Sequence, residues 1–491
     1  MTATRLDAFA PAITMLEALR ARRISAVELL EWHLRRIERY NPALNAIVSG
    51  DYESARQAAA VADDLRAGGV DAPLLGLPLT VKDCINVQGM LSTAGVPEYA
   101  EHRAELDSRL AARLRAAGAI IVGKSNVPPL AQDWQTDNPV FGRTNNPWDQ
   151  TRTPGGSTGG GAAALAAGLT PLEFGSDIGG SIRIPAAFCG VYGHKPSETA
   201  FPRSGHFPGR PLPNPARVMG VQGPLARDAG DLELALDIVA GPDAGEDVAW
   251  RLELPPARAE RLRDFRVAIL PAIDWQPVDA GIMDALERLA RALRGAGVTV
   301  KEASPDSFGD LRDHYRLYNS LLSVMVSSGQ PDEERRRLAS RLRAIGDEFV
   351  TAFAGGLEAS AADYLAWHAR REDYRESFRA FFRDWDILLT PVTIVPAFDH
   401  RRMPWMEDTL EVDGRIVPYA RLGLYPSIAT LSGQPATAFP FGLNTEGLPI
   451  GLQAIGPYLE DRTPIRFAAL VQQAIGGYQP PPGYDAGPAP A

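Results

Sequence analysis

Cysteine is scarce in this chain. Two, Cys84 and Cys189, occur in 491 residues, too few for a disulfide framework or a cysteine-ligated metal cluster, so a reducing compartment is the default. The seven histidines include no H-E-x-x-H pair and no other ligand spacing, so no metal and no cofactor is expected. His33, on an amphipathic helix, and His368, beside Trp367, read as packing or surface residues. Positive charge is in deficit: 50 Lys and Arg against 60 Asp and Glu leave a formal charge of −10. That balance argues against a surface that grips nucleic acid. No run reaches the ~18 strongly apolar residues of a membrane span. The nearest, GGGAAALAAGL, is short and built of small residues, and it reads as a buried helix. The stretch MTATRLDAFAPAITML lacks a charged-then-apolar leader pattern, with Asp7 where the apolar part would lie. The expectation is a cytoplasmic protein that binds neither nucleic acid nor membrane.

What the chain has in quantity is alternation of helix and strand. Ser25 and Glu28 form a capping-box pattern, Ile24 and Leu29 a staple across it, and the helix should stop near Asn41–Pro42. A second helix, ESARQAAAVADDLRAGG, ends at a glycine pair. LDSRLAARLRAAGAIIVGKSN reads as a helix, a stop at Gly118 and a short buried strand, and LTPLEFGSD as a strand. ILLTPVTIVPA, QPATAFPFGL and LPIGLQAIGP look like buried strands, while 280–297 and 308–384 are mostly helical. DEERRRLASRLR is a solvated helix face. Helices interleaved with strands over the whole length indicate an α/β sandwich. The tail, 476–491, should be disordered.

Two motif matches fail on physical grounds. GAIIVGKS, residues 118–125, satisfies G-x-x-x-x-G-K-S. A phosphate cradle is a flexible loop, whereas Ala119–Val122 is itself the strand, and Pro128 and Pro129 forbid a useful helix from Lys124. GGSTG, residues 155–159, satisfies the G-x-S-x-G elbow, but its approach, NNPWDQTRTP, is turn-rich rather than a strand. His206, His314, His368 and His400 lie clear of it, and none stands in a recognisable triad context.

Three features survive: the lysine of LTVKDCI, Lys82; Ser157 between glycine pairs in TPGGSTGGG; and Ser181 after DIGG in GSDIGGSIRIP. Their order and spacing, with GLPLTVKDCI, DNPVFGRTNNPWD, GVQGPLARDAGDLELALDIVAGPD and GLPIGLQAIGP elsewhere, resemble the amidase signature family over roughly residues 10 to 475. The resemblance implies a Ser–Ser–Lys triad: Ser181 the nucleophile, Ser157 the bridging serine, Lys82 the base, with a cis peptide between Gly156 and Ser157. It implies a single large α/β/α sandwich with a central mixed, twisted sheet. Residues 1–70 would be a helical segment packed on the core, 71–200 the signature core, and 201–475 the rest of the same domain with a helical insertion at 308–384. Thr158 stands where the family usually has a second serine; it keeps the hydroxyl and supports the loop.

The residues themselves lead to the same chemistry. A serine hydroxyl is a weak nucleophile without an adjacent base, and lysine serves only when neutral. Lowering its pKa from ~10.4 to ~7.5 takes about 4 kcal/mol of differential destabilisation of the ammonium. Lys82 follows the apolar run LLGLPLTV, which suits burial, and Asp83 faces the other way in an extended segment. Ser157 relays the proton from Ser181 to Lys82 and returns it to the leaving amine. The N–H groups of Ile178, Gly179, Gly180 and Ser181 are candidates for a nest that holds an oxyanion. Asp177 and Arg183 hold that loop, Arg183 as a structural group rather than a substrate contact. Cys84 and Cys189 are small buried residues, not nucleophiles.

The family hydrolyses carboxylic amides and, in some members, esters and carbamates. Here Trp134, Phe141, Arg203 and Phe207 are the candidate pocket wall, and an aromatic lining suits aryl amides, anilides or aryl carbamates. Two alternatives stand beside this: the glutaminase component of a tRNA-dependent amidotransferase, and a non-catalytic binding protein on the same fold. The expected partner is a small amide, ester or carbamate substrate, and the expected state a monomer or homodimer.

Overall fold

Most strands of this chain are buried on both faces, and that determines how they are covered. In the computed structural model, which describes residues 6–210, 212–402 and 404–485, the main sheet begins with β1 (Ile47–Gly50), β2 (Pro78–Lys82), β3 (Ile120–Ser125) and β4 (Leu172–Asp177). β5 (Tyr192–Lys195), β6 (Val221–Ala226), β7 (Arg266–Ile269), β8 (Thr299–Glu302) and β9 (Ile387–Pro391) follow. β10 (Thr409–Val412) and β11 (Arg415–Pro418) make a separate hairpin; β12 (Ala436–Leu443) and β13 (Pro449–Ile455) complete the main sheet. Its order is β1-β3-β2-β4-β6-β5-β12-β13-β9-β7-β8. β2 lies parallel to β3 and β4, and β7 parallel to β8 and β9, while antiparallel pairs run through the centre. β2, β3, β4, β5, β6, β9 and β13 are buried at every residue, so helices must cover both faces. This is the mixed-sheet α/β architecture expected.

The helical details follow local chemistry. Helix Ala26–Leu44 starts at the Ser25 capping box, with Glu28 N–H donating to Ser25 Oγ at 3.1 Å and Ser25 N–H to Glu28 Oε2 at 2.8 Å. It runs past Pro42, which sits in the last turn, and stops at Asn45 in the left-handed region, φ 52°. The 1–70 segment is not wholly helical: β1 leaves it to pair with β3. Four helices, Arg312–Ser327, Asp332–Arg343, Glu348–Leu357 and Ala361–Asp384, fill the stretch read as helical. The tail departs from the disorder expected of it. Tyr478 donates its hydroxyl to Ala166 O at 2.9 Å, and Tyr484 packs on Tyr40 at 5.1 Å between ring centroids. Two aromatics thus anchor a Pro/Gly-rich segment that composition alone reads as unfolded; its last six residues, 486–491, lie outside the described residues. Among the described residues, no helix is long and apolar enough to cross a membrane.

Helix Gly159–Ala166 matters most for the site, because its glycines let it lie flush on the sheet. A Cβ on Gly161 would come within 2.4 Å of Glu173 Cγ, and one on Gly160 within 2.3 Å of Asn126 N. Alanine at 161 gains about 1 kcal/mol of helix propensity, but overpacking a full core costs about 1–3 kcal/mol. Gly161→Ala is expected to lower the unfolding free energy by up to about 2 kcal/mol in urea titration; a stabilised variant would show that the helix stands off the sheet.

Candidate active site

Lys82 is the last residue of β2, and the neighbouring parallel strand β4 ends at Asp177. Their carboxyl ends form the edge where open α/β sheets place ligands. The loop after β4 holds Ser181, and the turn before helix Gly159–Ala166 holds Ser157 and Thr158. Ser157 and Ser181 line one cavity of about 540 Å³.

The Lys82 amine is enclosed, at 0% exposure. It donates to Ser157 Oγ at 2.7 Å, Thr158 Oγ1 at 3.1 Å and Ser176 Oγ at 3.1 Å. All three acceptors are neutral. Burial pushes its pKa down to about 8, although Cys84, Asp177, Glu173 and Asp83 pull the other way. Asp83 turns its carboxylate to Thr93, accepting from the N–H at 3.0 Å and the hydroxyl at 2.9 Å. Such an amine can exist unprotonated near neutral pH while a hydroxyl lies within hydrogen-bond reach. Among the described residues, no hydrogen bond joins the Ser181 hydroxyl to Ser157; such contacts commonly tighten only when substrate is bound.

The 178–181 loop is held by its carbonyls. Ile178 O accepts from Tyr318 OH at 3.0 Å, Gly179 O from Trp134 Nε1 at 2.7 Å, Gly180 O from Ile184 N at 2.7 Å and Ser181 O from Thr158 N at 3.1 Å. In a planar trans peptide the next N–H points opposite the carbonyl, so each of these bonds fixes the direction of a donor. Gly180 N–H, a candidate donor to an oxyanion, is instead taken by Asp177 Oδ1 at 2.9 Å. The reason is the carboxylate one turn back, which caps the loop and also accepts from Ile182 N at 3.1 Å. Ile178, Gly179 and Ser181 remain as candidate donors. Asp177 is bound by the fork of Arg183, Nε to Oδ2 at 3.0 Å and Nη2 to Oδ1 at 2.9 Å, both side chains fully buried. Arg183 also donates to Pro426 O and Gln453 Oε1, so it braces the loop from behind. The Gly156–Ser157 peptide is cis.

Tyr318→Phe is expected to lower kcat about tenfold with KM little changed, because it frees the carbonyl that aims Gly179 N–H; losing an oxyanion donor outright costs roughly 10²–10³. Steady-state kinetics at fixed pH reads this split. A change in KM alone would place Tyr318 on the substrate instead.

The pocket guesses divide. Arg203 and Phe207 line the cavity. Trp134 does not; it is buried behind the loop, bonded to Gly179 O, and faces a small neighbouring pocket that also reaches Ser181. Phe141 lines neither pocket, its carbonyl accepting from Asn45 Nδ2 at 2.7 Å. His206, set aside in the sequence, does line the cavity, with Nε2 3.6 Å from Cys84 Sγ. Burial, then the charge of Lys82, pushes it down to about 3, so it stays neutral. Cys84 is pushed up to about 11 by burial and is no nucleophile near neutral pH. Ser176 and Tyr318 were missed; alternation along β4 could have flagged Ser176, two residues before Ile178, but nothing local flags Tyr318. Lys124, of the G-x-x-x-x-G-K-S match, spends its amine on the carbonyls of Asp83, Ile85 and Leu91. Among the described residues, no three His, Cys, Asp or Glu side chains gather as a metal ion would need.

Comparison with known proteins agrees with this geometry. The Amidase family model matches residues 28–464. Indoleacetamide hydrolase of Bradyrhizobium diazoefficiens is 33% identical over 471 residues, 94% of this chain and 86% of that protein. The A-type component of glutamyl-tRNA(Gln) amidotransferase from Thermus thermophilus is 34% identical, over 92% of this chain and 94% of its own. An inhibitor-bound structure from a study of the origins of an s-triazine catabolic enzyme superposes with a TM-score of 0.80 at 29% identity, covering 96% of this chain and 100% of its own. The protein is therefore an amide-hydrolysing enzyme. It belongs to the Amidase family, whose hallmark is the amidase signature.

Proposed function

We propose that this chain hydrolyses amides through an acyl-enzyme on Ser181, with Lys82 as base and Ser157 as relay, and that its substrates are aryl amides, anilides or aryl carbamates, with esterase activity alongside. The observation that supports it most is the 2.7 Å bond from the fully buried Lys82 amine to Ser157, in the wall of the cavity that also holds Ser181. Ser181 Oγ attacks the carbonyl carbon as its proton passes to Ser157 Oγ, whose own proton passes to neutral Lys82. The carbonyl oxygen takes the negative charge and is stabilised by loop N–H groups already in place. When the C–N bond breaks, the proton returns through Ser157 to the departing nitrogen, which is otherwise a very poor leaving group. Water then repeats the sequence on the ester and frees Ser181.

The aryl preference is supported by the lining, in which Tyr99, Phe207, Leu212 and Met325 supply apolar surface, and by a relative named for hydrolysing indoleacetamide. A screen of aliphatic amides, anilides, esters and aryl carbamates, with Ser181→Ala as blank, tests it. Aliphatic amides turned over faster than every aryl substrate would overturn the preference.

A second reading, the glutaminase component of a tRNA-dependent amidotransferase, has the observation that several relatives at 32–35% identity are named as part of such an enzyme. It requires a partner. Turnover by the purified single chain, without glutaminase activity, decides for the free-standing amidase.

A further inference from the structure

Three arginines, Arg203, Arg210 and Arg217, line the cavity that holds Ser181. In a chain of net charge −10 this wall is locally cationic. Among the described residues no carboxylate pairs with any of the three within 4 Å. Their recorded side-chain partners are neutral: Arg203 Nη1 donates to Arg217 O at 2.5 Å, and Arg217 Nη2 donates to Ser328 Oγ at 2.7 Å. Asp243 is nearby, but it takes the backbone N–H groups of Arg203 and Ser204. Of the acidic residues in the lining, Asp177 is held by Arg183 and Glu98 is exposed.

The end of helix Arg312–Ser327 explains part of this placement. Its C-terminus is the negative end of the helix dipole and attracts cations, Arg217 reaches Ser328, and Arg210 Nη2 lies 3.1 Å from where a Cβ on Gly329 would be. A guanidinium has five donors in a rigid fork, so one helix end leaves most of them unspent. Burial, and next the charge of Arg210, lower the pKa of half-buried Arg217, so the two cations stand near enough to feel each other, with Arg210 exposed to solvent. Like charges on a cavity wall, with no carboxylate paired to them among the described residues, match an anionic ligand, and the fork geometry suits a carboxylate.

We propose that the preferred substrates carry a carboxylate remote from the scissile bond, seated on Arg210 and Arg217 while Ser181 attacks at the other part of the cavity. This deepens the amidase reading and rests on it for the attack. Two matched pairs test it: glutaryl against pentanoyl 4-nitroanilide places the acid on the acyl side, and 4-acetamidobenzoate against acetanilide places it on the amine side. Binding is measured by calorimetry to Ser181→Ala, which separates recognition from turnover. In one pair the acid is expected to bind at least tenfold more tightly, a preference that shrinks in 0.5 M salt. It should fall below threefold when Arg210→Gln and Arg217→Gln are added. Equal binding of acid and neutral forms in both pairs, no binding of any of the four, or a preference that survives the two arginine substitutions, overturns the proposal. Hydrolysis of the neutral amides by wild type without an acid preference would sink it and leave the amidase reading intact. Tight, arginine-dependent binding of an acid that wild type never cleaves would do the reverse.

Discussion

Ser181→Ala is expected to abolish turnover of every substrate the enzyme accepts, with kcat/KM falling roughly 10⁴-fold or more, the scale seen when a nucleophile that acts as part of a unit is removed. The fold should not notice. The Ser181 hydroxyl has no hydrogen-bond partner among the described residues, whereas its carbonyl, bonded to Thr158 N at 3.1 Å, is unaffected by the change. The brace from Arg183 to Asp177 also stays in place, so stability should stay within about 0.5 kcal/mol of wild type. That combination separates a chemical role from a structural one. Inactivity with lost stability would mean the loop had collapsed, and retention of more than a few per cent of activity in a folded variant would move the nucleophile elsewhere. Rescue by Ser181→Cys is a weaker control, because the larger sulfur disturbs the loop.

How much of this was legible in the sequence depends on how local the contacts are. Lys82, Ser157 and Ser181 stand in short segments whose glycines and apolar flanks signal their surroundings, and the structure places the two serines on one cavity with the Lys82 amine bonded to Ser157 behind it. The brace of Asp177 by Arg183 spans six residues and could be read from GSDIGGSIR. The direction of the loop carbonyls could not. Tyr318 reaches Ile178 across 140 residues and Trp134 reaches Gly179 across 45, so neither bond leaves a local pattern. The same holds for β1, whose four residues become a strand only because β3 offers an edge. Gly180 shows a subtler limit. The glycines announced a nest of donors, but one donor was already claimed by Asp177, and only coordinates reveal which. The Pro-rich stretch 202–217 carried arginines readable as residues; that Arg210 and Arg217 would line the same cavity as Ser181 with no carboxylate partner among the described residues was set in part by a helix end more than a hundred residues later.

Lys82→Met is expected to lower kcat/KM by about 10³-fold or more, since a general base supplies roughly 10²–10⁴ and the proposed mechanism also has it return the proton to nitrogen. The wild-type rate should rise with pH. Only the neutral amine accepts a proton, so with the pKa held near 8 kcat/KM climbs about tenfold per unit below that point and levels above it, an increase of about fiftyfold from pH 6 to 8. Glu173, pushed up to about 7 by burial, titrates in the same window. It is bonded to Thr80 and to Ser125 Oγ rather than to Lys82, so Glu173→Gln should keep the slope and Lys82→Met should lose it. Stability supplies an independent reading of the same amine. Its folded pKa, about 8, lies below the ordinary lysine value of 10.5, so between those limits the unfolded chain binds the extra proton and folding is favoured as pH rises. Relative to Lys82→Met, the wild type should gain about 3 kcal/mol of unfolding free energy across that window. A rate that does not change from pH 6 to 9 in the chemical step, or a stability difference that stays level from pH 8 to 10.5, would show that the amine is solvated and charged, and the base would have to be sought elsewhere.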